Sequence, residues 1–239
     1  MEARRVVVLG KGMESTVYAV NLELGDASVV CALRVPHARN TTTTEMGRLR
    51  AMRSMPPHVN VVTVMGGMQT PACKQVVLML EFVRGSTLRH ALDSCAWSAG
   101  AVLAASRQIV SGLAHLHGHG LRHGDVNLNN ILLQDQTCKL TDYFVDCAHG
   151  APAYMAPEVL RGSRVLANDV WSVACVFLAL HGKEPFCGVD VGALLWKLAN
   201  GALPDNIPPS PFADLVSQLL VAEHERLSAW QVLQRLRAM

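Results

Sequence analysis

The hydrophobic period of this 239-residue chain changes once, near Leu88, and that change limits the fold more than any single residue does. Before it, β-branched runs at 5–9, 17–22, 28–35, 61–65 and 75–82 read as strands, with one helical segment over 41–53 among them. After it, 99–117, 167–181, 191–200, 211–221 and 228–239 carry apolar residues at helical spacing. Two short apolar runs, 131–133 and 138–141, flank polar 134–137 and read as a hairpin. The threonines at 41–44 are poor in a helix interior but suited to capping its start ahead of Glu45. This order predicts an α+β, bilobal architecture, with a small β-rich lobe over about 1–84 and a larger helical lobe over 85–239. A ligand is expected in the cleft between the lobes.

Composition supports one such domain, since 50% of the residues are apolar and a chain of this length can bury a sizeable core. A net charge of +2 offers no basic stripe for many phosphates, so neither nucleic acid nor a membrane surface is an expected partner. The 7 cysteines are scattered and form no C-x-x-C pair, which argues against a disulfide framework and a zinc site. The first nine residues lack a signal-peptide core, and the longest apolar stretch, 170–180, is too short to span a bilayer. A soluble, cytoplasmic protein is the expectation.

Chemistry concentrates in two places. Leu9-Gly10-Lys11-Gly12-Met13-Glu14-Ser15-Thr16-Val17 lies between two expected strands, where glycines let backbone approach phosphate without an intervening Cβ. By itself, a pair of glycines in a tight turn is more often structural. His123-Gly124-Asp125-Val126-Asn127-Leu128-Asn129-Asn130 ends a helix and opens the hairpin, with Asp142 on the far side of it. Turn formation alone is a weak account of an Asp, an Asn and a second Asp at this spacing.

In family order, H-x-D-x-x-x-x-N, then Asp142, then Ala156-Pro157-Glu158 resemble the motifs of eukaryotic protein kinases. Gly150 to Glu158 is similar to the end of a kinase activation segment, and Asp169-Val170-Trp171-Ser172 to the start of the large lobe's central helix. The Y-M-A-P-E ending resembles the Ser/Thr group, in particular kinases acting early in MAP-kinase cascades. The resemblance implies ATP and Mg2+ as cofactors and a protein substrate or signalling partner. It implies Asp125 as the base, Asn130 and Asp142 as metal ligands, and Arg34 paired with Glu45. Leu9, Gly10, Gly12, Val17, Ala32, Glu81, Val83 and Leu132 would line the nucleotide site, with Leu80 at the back of the adenine pocket. Arg226 would pair with Glu158, while Leu49, Val64, Tyr143 and His123 would form a stacked spine anchored by Asp169.

Several positions depart from the family pattern. Cys31-Ala32-Leu33-Arg34 carries arginine where V-A-I-K has its lysine, a planar fork in place of a point charge. Gly124 replaces the arginine of H-R-D, and no Ser or Thr lies between Asp142 and Glu158, so a phosphate switch is missing on both sides. Asn127 and Ala151 stand where Ser/Thr kinases have a lysine and the threonine bonded to it. Phe144 replaces the glycine of D-F-G. The expected function is a slow Ser/Thr protein kinase; the alternatives are a pseudokinase acting as a binding or allosteric module, and a small-molecule phosphotransferase sharing the H-G-D motif. His115, His117, His119 and His123 cluster without a completing ligand, and as imidazoles near a helix end they suit its negative pole better than a metal.

Overall fold

The computed structural model describes residues 3–12, 14–24, 27–37, 43–70, 75–143, 150–204 and 211–239. They form two compact units, Met1–His58 with Val62–Arg84, and Val59–Val61 with Gly85–Met239.

The first unit is an antiparallel sheet of β1 (Ala3–Lys11), β2 (Ser15–Leu24), β3 (Ala27–Pro36), β4 (Val64–Gln69) and β5 (Val76–Glu81), in the order β1-β2-β3-β5-β4. Period-2 alternation buries Val20, Leu22 and Cys31 together, with Tyr18, Leu33 and Met79 packed around them. Helix α1 (Thr43–Ser54) turns Leu49 and Met52 inward and lies against β4. A Cβ at Gly67 would sit 3.1 Å from Leu49 Cδ2, so this glycine admits the helix to the sheet.

One expected strand is displaced. The apolar run at 61–65 was expected to be sheet throughout, yet β4 starts only at Val64. Val61 instead makes a parallel bridge to Leu140, and the Leu140 N–H donates to Asn60 O at 2.9 Å. The second unit therefore claims residues that local pattern assigned to the first.

In that second unit, β6 (Ser86–Thr87), β7 (Ile131–Gln134) and β8 (Thr137–Leu140) form a small sheet. The helices are α2 (Leu88–Ser94), α3 (Ala99–Gly118), α4 (Leu166–Leu180), α5 (Val191–Ala199), α6 (Pro211–Leu219) and α7 (Ala229–Arg237). Helix α3 buries Val102, Ala105, Ile109, Leu113 and Leu116, a stripe at helical spacing. Every residue of α4 from Asn168 to Leu180 is buried, so it is the central helix of the unit. Helix α2, which the periodicity does not reveal, spans only 7 residues and is capped by Thr87, whose hydroxyl accepts from His90 N at 3.2 Å. Among the described residues no helix is long and apolar enough to cross a membrane.

Gly85 enters β6 with its Cα facing the backbone of β7, and a Cβ there would lie 1.9 Å from Leu133 O. Gly85→Ala is expected to push β6 off β7 and destabilise the unit by about 1–3 kcal/mol. Gly118→Ala, at an open position ending α3, serves as the control. Urea unfolding that shows equal midpoints for the two variants would contradict this close approach.

Candidate active site

The loop that follows α3 is hung from α4. Asp169, 1% exposed, accepts the backbone N–H groups of Gly124 on Oδ1 and His123 on Oδ2, each at 2.8 Å. His117 Nε2 lies 2.8 Å from Oδ2 as well. Burial alone pushes the Asp169 carboxyl up, but the hydrogen bond and charge of His117, the charge of His123 and the Gly124 N–H together hold it below the usual carboxylate range. His123 is fully buried with its ring centroid 6.3 Å from that of Tyr143, and its Nδ1 accepts the Asp125 N–H at 3.3 Å. Two successive N–H groups on one buried carboxylate define where the loop leaves the core.

Asp125 then meets a ring of amide donors. Its Oδ1 accepts from Asn127 Nδ2 and from the Ala151 N–H, both at 2.9 Å, and its Oδ2 accepts from Asn130 Nδ2 at 2.8 Å. Asn130 Nδ2 also donates to the Asp125 backbone oxygen at 2.9 Å, so the amide is turned with its own oxygen away from Asp125. The Thr141 N–H donates to Asn130 O at 3.0 Å, which ties the residue before Asp142 to this loop across the hairpin. Asp142 itself has φ 60°, the left-handed region that non-glycine residues seldom occupy. Asp125 and Asn130 are thus in direct contact, and Asp142 follows a residue bonded to Asn130.

Sequence reasoning missed two contributors. Gly150 matters because a Cβ there would stand 2.9 Å from Asp125 Oδ1, closing the approach that lets the Ala151 N–H reach the carboxylate. Arg122 is 7% exposed, and its guanidinium atoms lie 3.3 to 3.6 Å from where a Cβ on Gly124 would be. A guanidinium therefore lies beside position 124, delivered from two residues upstream next to a glycine at φ 87°. Only an arginine flanking the motif hinted at it; the direction of its side chain is a tertiary fact.

In the first unit, a row of paired residues crosses the sheet from Gly10 to Val17 to Arg34 to Leu78. Arg34 is 6% exposed, and Ala32, two residues earlier on β3, is buried opposite Leu80. Leu9 is exposed, and the Gly12 N–H closes its turn by donating to Ser15 O at 2.9 Å. Glu81 ends β5 with its N–H donating to Thr63 O at 3.0 Å, and Val83 follows, half-buried. Leu132 belongs to the second unit, paired with Thr87 and Lys139. Glu45 lies on α1, but the expected Arg34–Glu45 pair rests on a side chain outside the described residues, as do the expectations placed on Met13, Phe144 and Thr41.

The model of the protein kinase domain family matches residues 4–236 of the chain. The chain belongs to the protein kinase domain family. Over 95% of its length it is 28% identical to a mitogen-activated protein kinase kinase kinase, MCK1, of Pyricularia oryzae, and 31% identical to the serine/threonine-protein kinase PLK4 of Aedes aegypti. It is also 28% identical to human mitogen-activated protein kinase kinase kinase 19. The match to this chain spans only 17%, 32% and 19% of the length of these three proteins. The expected eukaryotic Ser/Thr-type kinase resemblance and α+β fold therefore hold.

The kinase domain fastens Glu158 by a partly buried ion pair. Arg226 Nη1 donates to Glu158 Oε1 at 2.6 Å and to Ala167 O at 2.8 Å, while Nη2 donates to Val221 O at 2.8 Å. Asn168 Nδ2 adds a 3.0 Å bond to the same carboxylate oxygen, and the Arg226 guanidinium lies 5.2 Å from the Trp171 ring centre. Partial burial pushes the Glu158 carboxyl up, but the Arg226 hydrogen bond, helped by its charge and by Asn168, leaves it below the ordinary value. A lowered folded pKa stabilises fully above the unfolded value and is lost as pH falls through the folded one. Urea midpoints are expected to drop below about pH 4.5 in the parent, and less steeply in Glu158→Gln. Parallel acid limbs would show that the pair does not carry this dependence.

Asn130 and Asp142 supply hard oxygen atoms, one neutral and one anionic. With Asn130 Nδ2 held by Asp125, its oxygen is the atom left for a cation. No group of three or more His, Cys, Asp or Glu residues forms a metal cage among the described residues. That donor set fits Mg2+, which keeps waters and takes its remaining oxygens from phosphate.

Proposed function

We propose that the chain is an ATP-dependent Ser/Thr protein kinase of reduced rate. Asp125 serves as the base for a protein hydroxyl, and Asn130 and Asp142 hold Mg2+ against the phosphates. The observation that carries this reading is the Asp125 carboxylate oriented by three amide donors with Asn130 among them. An arrangement serving packing alone has no need to orient an acceptor-only group on both oxygens. Arg34 takes the lysine's part toward the phosphates, paired with Glu45, with Leu9, Gly10, Gly12, Val17, Ala32, Glu81, Val83 and Leu132 around the nucleotide. Bound Mg-ATP supplies the phosphoryl group and most of the charge neutralisation; this chain orients the acceptor hydroxyl and receives its proton.

The reduced rate follows from charge. No cation stands at 127, and a guanidinium at 34 is planar and less adaptable than an ammonium. A second reading, a pseudokinase that steers a partner, is favoured by the same two positions. Transfer from labelled ATP to a general protein substrate by the purified chain, with ATP binding measured with and without Mg2+, separates them. The expected result is slow, Mg2+-dependent transfer, faster in Arg34→Lys. Absence of nucleotide binding in both proteins would sink the kinase reading, and binding without transfer would favour the pseudokinase.

A further inference from the structure

We infer that Asn127, standing where the family has a lysine, is a positioning residue that clamps Asp125 and leaves Oδ2 as its proton-accepting oxygen; this rests on the kinase reading above. Asn127 is 3% exposed. Its Nδ2 donates to the Asp125 backbone oxygen at 3.1 Å and to Asp125 Oδ1 at 2.9 Å, which engages both amide hydrogens. Its own Oδ1 accepts the Asn129 N–H at 2.9 Å, capping the short turn Leu128–Asn130. Neither amide hydrogen of this side chain remains to reach a ligand. A lysine there would offer three rotatable donors and a charge, whereas Asn127 gives Asp125 a neutral, fixed partner.

The two oxygens of Asp125 are consequently unequal. Oδ1 carries two N–H groups, from Asn127 and Ala151, and Oδ2 carries one, from Asn130. A carboxylate oxygen offers about two lone-pair directions, so Oδ1 is filled and Oδ2 keeps one for a hydroxyl. In the transfer step the hydroxyl proton passes to Oδ2, the hydroxyl oxygen forms the new bond to phosphorus, and the bond from phosphorus to ADP breaks. The clamp acts on the orientation of the base and touches neither nucleotide nor metal.

Its removal should lower turnover and spare ATP affinity. In Asn127→Ala the expected fall in kcat is about tenfold to a hundredfold, the range for losing a hydrogen bond to a charged group, with KM for ATP within about twofold of the parent. Asn127→Lys restores a donor and is expected to recover most of the kcat. An unchanged kcat in Asn127→Ala would overturn the inference. So would kcat and ATP binding that fall together with the unfolded fraction, the pattern of a structural residue. A second measurement does not depend on activity: hydrogen exchange of the Asn127 side-chain amide, followed by 15N NMR in the full chain. Exchange is expected to be at least about tenfold faster in Asp125→Ala than in the parent, as a broken hydrogen bond requires. Equal exchange would show that the clamp does not exist. Coupled exchange in a parent that transfers no phosphate would retain the clamp while the kinase reading and the Oδ2 assignment fall.

Discussion

Asp125→Asn is expected to lower phosphoryl transfer by about a thousandfold while Mg2+-dependent ATP binding stays near the parent value. General-base catalysis is worth roughly a hundredfold to ten-thousandfold, and an amide cannot take the proton. Geometry adds to the loss. Three donors point at the two carboxylate oxygens, from Asn127, Ala151 and Asn130. Either orientation of an asparagine at 125 turns its NH2 toward at least one of them, so the replacement also shifts out of place. The measurement is initial-rate transfer from labelled ATP alongside nucleotide binding on the same preparations. Equal transfer by parent and variant would assign the activity to a contaminating kinase and remove Asp125 from the proposed mechanism.

Asp169→Ala is expected to cost about 3–5 kcal/mol of stability and to abolish transfer, although residue 169 meets no substrate in the proposed reaction. The carboxylate is buried, and three groups depend on it: the N–H groups of His123 and Gly124, and the His117 ring. Alanine would leave two buried donors in want of partners at the point where the loop carrying Asp125 begins. Asparagine keeps the shape but turns its NH2 toward one of the same N–H groups, and its expected cost is smaller, about 1–3 kcal/mol. Urea unfolding of the three proteins gives the order parent, Asn, Ala. A parent-like midpoint for Asp169→Ala would mean that the loop is held by something other than α4.

The Asp169 carboxyl, held below the usual range, adds an acid dependence of the same sign as that of Glu158. Its stabilisation is present above the unfolded pKa and disappears as pH falls through the lowered folded value. Both terms place the loss on the acid side. Neither produces a loss at neutral pH.

Much of this protein is written in local pattern. The change of period at Leu88 separates the strands β1–β5 from the helices α3–α7, because alternation and helical spacing are properties of ten or twenty consecutive residues. The spacing of Asp125, Asn130 and Asp142 was equally legible, since the first two occupy one tight loop and the third follows a short hairpin. Helix α2 was not legible, being 7 residues long, too short for a period to show. Nor was the start of β4, because Val61 is as suited to a strand as Val64 and only the backbone of Leu140 decides between them.

The departures from the family pattern divide in the same way. The sequence alone determined that position 34 is an arginine, that positions 124 and 127 lack a cation, and that no Ser or Thr lies between Asp142 and Glu158. Tertiary structure decided what those changes mean. Arg122 brings a guanidinium back beside Gly124, the Asn127 amide turns onto Asp125, and Gly150 admits the Ala151 N–H to the same carboxylate. The physical reason is direction. A propensity or a motif records residue types along the chain, whereas a hydrogen bond or a forbidden Cβ depends on where the fold turns particular atoms to within about 3 Å, between residues two apart such as Asn127 and Asp125 as much as between distant ones such as Ala151 and Asp125.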